Sequence, residues 1–387
     1  MEAQWVFWTC LVLTMHTYVF YPVLLWIAYV ISQVRRDLQY LAGRKDRRTT
    51  MPSELPPVSL LIAAHNEEEY LHDKIANLQE IDYPAGRLEV IFVSDGSTDR
   101  TNEILTESGN GRWRTILLPE QRGKASALNC ATAVASHGIF VLSDAATLLA
   151  RDAVRNLVRH FRDPRTGVVC GSLQFRRTAE SEQTEGVYWT YECMLRLMES
   201  RLGATLTASG ALYAIRRECF RRLAPDTLLD DFVLPMNARR LGYRVLYDPE
   251  AVGLEYAPPS VAGEFVRRVR LAMGSFRALP QLLRGSLGGF SLVAFVSHKL
   301  LRWFQPFILI GLLVSNAFLL RSPLFRLFFL GQLLLLLLAA AGAIWRSSLQ
   351  RIPFGLVSYF LSAMNLAFLV GFVRSVFARK EAGWQRG

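Results

Sequence analysis

The stretch from Val58 to Thr101 reads VSLLIAAHNEEEYLHDKIANLQEIDYPAGRLEVIFVSDGSTDRT. Two apolar runs, VSLLIAA and LEVIFVS, each end in polar residues, and between them Tyr70, Leu71, Ile75 and Leu78 recur at helical spacing. Strand, helix and strand in that order make a β-α-β unit, whose two strands run parallel. The pattern continues downstream with a helix from Thr98, a strand near TILLPE, a helix after Gly123 and a strand in GIFVLSDAAT. Such alternation predicts an α/β fold with a mostly parallel, Rossmann-like sheet. In open sheets of this kind ligands bind beyond the carboxyl ends of the strands. His65, Asn66 and Glu67, then Asp95, then Asp144 all fall at such ends, so three polar tips on one edge predict a binding site.

Each tip also has a plain structural explanation. Asp95 in SDGSTD suits a turn or a helix cap, and Asp144 followed by Thr147 could cap the helix carrying Ala153, Leu157 and Val158. Their coincidence on one edge favours the site. Gly123 and Lys124 in QRGKASALN add a flexible backbone and a cation before a helix start, which suits phosphate. They do not form a P-loop, because the Walker spacing is missing.

The chain has 387 residues, of which 51% are hydrophobic, more than a soluble domain of this size carries. The excess lies at the two ends. Val6 to Ile31 is almost free of charge and long enough for one membrane span, and the flanks MEAQW and ISQVRR read as an uncleaved anchor. Three further apolar blocks follow, Phe304 to Leu320, Leu324 to Trp345 and Phe354 to Val376. Ahead of them, SHKLLRWF reads as an amphipathic segment on the membrane surface. The expected division is residues 1–50 for the first span and a basic linker, 51–279 for a catalytic domain, and 280–387 for an interfacial helix and about three spans.

Arg35, Arg36, Arg44, Lys45, Arg47 and Arg48 follow the first span and place the middle segment in the cytoplasm of a multi-pass protein of the cell membrane, the inner membrane if the source is bacterial. Arg374, Arg379, Lys380 and Arg386 argue against an outer C-terminus, which leaves the span count open by one. Five cysteines show no metal-site spacing, as in a reducing compartment. The net charge of +11 suits anionic lipid and phosphorylated substrates, and no nucleic-acid motif accompanies it.

Taken in order, LLIAAHNEEEYL, VIFVSDGSTDRT, RGKASALN, VLSDAATLL, SGALYAIRR and LLDDFVLPMNARRLGYRVLYDP resemble the family 2 glycosyltransferases, membrane-bound enzymes with a GT-A nucleotide-sugar domain. The likeness runs from Pro57 to Arg277, and the flanking spans are similar to those of the cellulose, hyaluronan and poly-N-acetylglucosamine synthases. It implies an inverting, metal-assisted transfer from a nucleotide-diphosphate sugar, uridine-linked, to a cell-surface polysaccharide or a glycolipid. A lipid acceptor such as polyprenyl phosphate or ceramide, and a non-catalytic scaffold, are the alternatives.

The resemblance also implies roles. Asn66, Glu67 and Asp95 would line the nucleoside pocket, Lys124 would lie near the nucleotide, and Asp144 would hold Mg²⁺ or Mn²⁺ against the diphosphate. The family's second metal-binding Asp is missing, since Ala145 and Ala146 follow Asp144. Asp231, with Asp230 beside it in LLDDF, would be the base that takes the acceptor proton. Arg267 and Arg270 keep an R-x-x-R spacing suited to the leaving diphosphate, but Leu271 stands where the synthases have Trp. Gly210 would lie near the acceptor sugar, or simply form a tight turn. Tyr188, Trp189 and Tyr191 would stack on a sugar or sit at the membrane interface. Leu271 and the scarcity of polar groups in the spans, where only Asn316, Gln332, Ser362 and Asn365 could line a wet path, predict addition of one or a few sugars by a single chain. A long polymer would then need an oligomer or an export partner.

Overall fold

The computed structural model describes residues 1–43, 54–109, 111–176, 183–256, 261–283, 287–344 and 355–377. Arg44, Lys45, Arg47 and Arg48 of the basic linker lie outside them, as do Arg379, Lys380 and Arg386 and the side chains of Tyr188 and Trp189. Helix α1 (Glu2–Leu41) opens the chain. There follow β1 (Val58–Ala64), α2 (Glu68–Gln79), β2 (Leu88–Asp95), α3 (Thr101–Gly109), β3 (Arg114–Leu118), α4 (Lys124–Val134) and β4 (Ile139–Asp144). After the short β5 (Leu148–Leu149) come α5 (Ala153–Val158), β6 (Thr166–Arg176), α6 (Gln183–Arg201), β7 (Leu212–Arg216), α7 (Asp230–Arg240), β8 (Arg244–Tyr256) and α8 (Val261–Leu283). Three long helices close the chain: α9 (Phe290–Ala317), α10 (Pro323–Ile344) and α11 (Gly355–Phe377).

The strands form one sheet in the order β3-β2-β1-β4-β7-β6-β8-β5. The β3, β2, β1 and β4 half is parallel, as the alternation predicts, and β7 then runs antiparallel to both β4 and β6 while β8 returns parallel to β6. A parallel sheet is covered on both faces. Leu60 and Ile62 accordingly pack with Leu71, Ile75 and Leu78 of α2, whereas Leu61 and Ala63 pack with Ala125, Leu128 and Ala131 of α4. Each such leucine or isoleucine stabilises the fold by about 1.5–3 kcal/mol. The small residues of α4 let it lie close on the strands.

Several expectations change. The helix expected from Thr98 starts at Thr101, because Asp99 turns its carboxylate back onto the Thr101 N–H (3.0 Å) and Asn66 Oδ1 accepts from Thr98 N (2.8 Å). Asp144 does not cap the next helix, which begins at Ala153 after Asp152. The apolar run expected to end at Ile31 continues as helix to Leu41, with a π-helical turn at His16–Phe20. SHKLLRWF is not a separate surface segment. It belongs to α9, and His298 is buried against α6, where its Nδ1 lies 2.6 Å from Glu199 and Arg302 Nη1 donates to Glu192 across 2.8 Å. Among the described residues four helices are long and apolar enough to cross a membrane, namely α1, α9, α10 and the Ser358–Phe377 part of α11.

Helix α8 joins the two kinds of structure, since it packs along α11. The close approach depends on Gly371, where an added Cβ would lie 2.5 Å from Ala272 Cβ and 2.9 Å from Val269 O. Gly371→Val should therefore push α8 away and cost about 1–3 kcal/mol, seen as a lower melting temperature of the full chain in detergent. An unchanged melt would mean that the two helices are not held in register there.

Candidate active site

At the carboxyl edge of the sheet lies a cavity of about 260 Å³. Its wall includes Lys124, Asp144, Gly210, Asp230, Asp231, Arg267 and Arg270 from the sequence reading, together with Arg196, Glu255, Arg268 and Leu271. Asn66, Glu67 and Asp95 are not among its lining residues.

Lys124 is the hub. Its Nζ donates to Asp144 Oδ1 at 2.6 Å and to the Gly210 carbonyl at 3.4 Å, and lies 3.8 Å from Asp230 Oδ1. Burial disfavours its charge, yet the Asp144 and Asp230 carboxylates outweigh that and hold the ammonium above its ordinary range. The lysine starts α4 directly after Gly123, whose φ of 89° lies in the left-handed region. Buried Asp95 fixes that turn: Arg122 N donates to its Oδ1 (2.8 Å) and Gly123 N to its Oδ2 (2.7 Å). Asp95, which the resemblance expects in the nucleoside pocket, thus directs both carboxylate oxygens at this loop. Asn66 lies exposed at the end of β1 with φ 54°, and Glu67 beside it is buried, its N–H donating to Thr101 Oγ1 (2.8 Å).

The paired aspartates open α7 without capping it through their side chains. Asp230 Oδ2 accepts from Tyr213 OH (2.8 Å), and Asp231 Oδ2 accepts from Gly210 N (3.1 Å). Burial, reinforced by the Asp230 charge, pushes Asp231 up to about 6, while Lys124 and Arg196 act in the opposite direction. A carboxylate so tuned can take up a proton near neutral pH. Gly210 sits in a tight turn in which Leu212 N donates to Ser209 O (3.1 Å). An added Cβ there would lie 3.5 Å from Asp231 Oδ2, an ordinary contact, so the packing of the protein alone does not require glycine.

Sequence reasoning missed four groups. Lys74 is fully buried below the β4 tip, donating to Ser143 Oγ (2.9 Å) and to the Thr147 carbonyl. Burial lowers it to about 7 against the pull of Asp144 and Glu255. Its signal was present, because Lys74 lies on the same helical stripe as Leu71, Ile75 and Leu78. Tyr213 hides in an apolar strand, and Arg196 reads as a solvated helix charge. Glu255, at the end of β8, accepts from Thr147 Oγ1 (2.5 Å), and burial followed by the Asp144 charge raises it.

For a divalent cation, the chemistry of the donors fits. Asp144 is partly open to the cavity and Glu255 lies in the same wall, both hard oxygen donors. Among the described residues no cluster of three or more metal-ligating side chains exists, so a bound diphosphate would have to complete the shell.

Residues 59–224 match the family model described as Glycosyl transferase family 2. The poly-beta-1,6-N-acetyl-D-glucosamine synthase of Staphylococcus aureus (strain COL) is 28% identical over 272 residues, covering 67% of this chain and 65% of the relative. The protein of the same name from Staphylococcus epidermidis is 27% identical over 273 residues, with the same coverage. The chain thus spans 65% of the length of the curated relatives it matches. The solved mannosyltransferase PcManGT from Pyrobaculum calidifontis, in complex with GDP-Man and Mn²⁺, superposes with a TM-score of 0.69 at 23% identity, over 92% of this chain and 98% of that one. This likeness bears on the fold and supports the GT-A expectation.

Asp95→Asn would turn an amide N–H₂ toward a backbone N–H in the buried turn. A loss of about 1–3 kcal/mol in stability is expected, with weaker binding of a nucleotide as Lys124 loosens. Thermal melts and nucleotide titration of the same sample check both parts.

Proposed function

We propose that this chain, which carries a family 2 glycosyltransferase domain, transfers a sugar with inversion from a uridine-linked nucleotide-diphosphate donor to a polysaccharide or glycolipid acceptor held at the cytoplasmic face of a membrane. The observation that carries the reading is the single cavity in which Asp231, pushed up to about 6, faces Lys124, Asp144 and the arginines of α8.

In this reading Asp231 accepts the proton of the acceptor hydroxyl as that oxygen bonds to the anomeric carbon, while the bond from that carbon to the diphosphate breaks on the opposite face. Gly210 N–H, bonded to Asp231 Oδ2, orients the carboxylate, and Tyr213 holds its neighbour Asp230. Lys124, Arg267 and Arg270 meet the charge that develops on the leaving diphosphate. Asp144, with Glu255 beside it in the wall, would hold Mg²⁺ or Mn²⁺, which when bound neutralises diphosphate oxygens as a Lewis acid. Asn66 and Glu67, at the neighbouring strand tip, would serve the nucleoside end.

The polar groups of the long helices support short products from one chain. Asn316 lies 3.3 Å from Gln332, Gln305 donates to Thr14 Oγ1 (2.9 Å), and Asn365 Nδ2 donates to the Leu361 carbonyl (2.7 Å). They bond to the helices themselves and so offer little to a polar channel. A polymer of the kind named for the curated relatives would then require an oligomer or an export partner.

Two experiments test the chemistry. Asp231→Asn should keep nucleotide-sugar binding while turnover falls by roughly 10² or more. In the unaltered protein kcat/KM should fall as pH drops through about 6, where Asp231 takes up a proton and ceases to be a base. Asp230→Asn removes the neighbouring negative charge and should move that limb to lower pH. Turnover retained in Asp231→Asn would remove Asp231 as the base. For the metal, Mn²⁺ titration followed by electron paramagnetic resonance in the presence of nucleotide should show Asp144→Asn binding the ion at least about tenfold more weakly. Equal binding would locate the ion elsewhere.

A further inference from the structure

A second cavity, of about 640 Å³, lies at the other edge of the sheet. Thr166 and Arg244, where β6 and β8 begin, belong to its wall, whereas the catalytic cavity takes Leu173 from β6 and Glu255 from β8. Seven residues of strand, about 23 Å, separate Thr166 from Leu173. The reaction described above uses none of these second-cavity residues.

The charge of its wall is positive. Arg36, Arg159, Arg162, Arg201 and Arg244 converge there from four segments of chain, against three carboxylates. Those carboxylates are already engaged. Asp248 accepts from Arg159 (2.7 Å) and His160 (2.7 Å), Glu250 pairs with Arg159 (2.7 Å), and Asp163 pairs with Arg165 (2.9 Å) and Arg244 (3.3 Å). Arg201 forms no ion pair among the described residues. Thr166 is wholly buried, and its hydroxyl has no hydrogen-bond partner among the described residues. Guanidinium forks gathered in excess of carboxylates suit the oxygens of a phosphate.

Helix α1 indicates where the phosphate comes from. Arg36 Nη2 donates to the Arg201 carbonyl (2.8 Å), so this face of α1 meets the cavity. The opposite face carries Ile27, Val30, Val34, Leu38 and Leu41, all exposed, continuing the apolar character of a helix able to cross a membrane. That stripe needs an apolar phase along the helix, and the lipid surface that supplies it brings headgroups to the cavity beside it. We propose that this cavity binds the phosphate of an anionic phospholipid and so seats the catalytic unit on the membrane.

Native mass spectrometry of the detergent-purified full chain with phosphatidylglycerol, with phosphatidylcholine as control, tests the assignment. Retained phosphatidylglycerol should exceed phosphatidylcholine, and Arg162→Gln/Arg201→Gln should lower its apparent affinity by about tenfold or more with the circular dichroism spectrum unchanged. If that pair fails to fold, Arg201→Gln alone carries the test, with a smaller loss expected. Equal retention in folded variants, or no preference over phosphatidylcholine, would overturn the site. Inorganic phosphate binding that these variants abolish, without any phosphatidylglycerol preference, would instead assign the cavity to a soluble phosphate and overturn the lipid.

Discussion

The carboxylate of Asp95 holds the cavity edge of the sheet together. It is wholly buried at the end of β2 and receives two backbone N–H groups from the loop before α4. The loop can come that close only because residue 96 is glycine, with φ 60° and with Gln121 N at 2.3 Å from where a Cβ would stand. A buried carboxylate satisfied by backbone donors is difficult to displace, since either partner left alone would be buried unsatisfied. The start of α4, and hence Lys124, follows from this one contact. Without it the cation of the site would be tethered to a mobile turn.

Around Lys124 the charges are arranged in opposition. One ammonium faces Asp144 and Asp230, and Asp231 stands behind them. Burial, reinforced by the Asp230 charge, raises Asp231, while Lys124 and Arg196 pull it the other way. The lost second acidic residue after Asp144 therefore need not empty the site of negative charge, because Glu255 and the α7 pair stand in the same wall. Lys74, buried beneath, steadies the β4 tip through Ser143 and Thr147.

The α/β unit is bound to the long helices by a buried ionic cluster on α6. Glu192 meets Arg302 and His298 from α9, and Glu199 meets His298 and receives the hydroxyl of Tyr21 from α1 (2.7 Å). Burial works against the charge of Glu192, yet the cations of α9 hold it well below the usual carboxylate range. Removing one member would leave a buried charge uncompensated, a cost of about 3–5 kcal/mol. Between the two anchoring glutamates the same helix sends Arg196 into the wall of the candidate site. The seating of α9 on α6 and the electrostatics near Asp231 therefore share one rigid element.

The sequence by itself determined the alternation of strands and helices, the polar strand tips, the four apolar segments and the order of family motifs, because each rests on local periodicity or on short, specific strings. It also singled out Lys124, Asp144, Asp230 and Asp231, which the fold brings into one cavity wall. It could not show that Asp95 bonds a backbone loop 27 residues away, because its identity at a strand tip is the same whichever group its carboxylate faces. It misread SHKLLRWF, since a charged stripe suited to a membrane surface is equally suited to a buried partner that carries the opposite charge, and Glu192 and Glu199 lie about a hundred residues earlier. Lys74, Glu255, Arg196 and the basic cavity became visible only when distant segments met. Periodicity reports which face of an element is apolar. Which charge that face or its rim will meet is decided by packing across the chain, and that only the tertiary structure supplied.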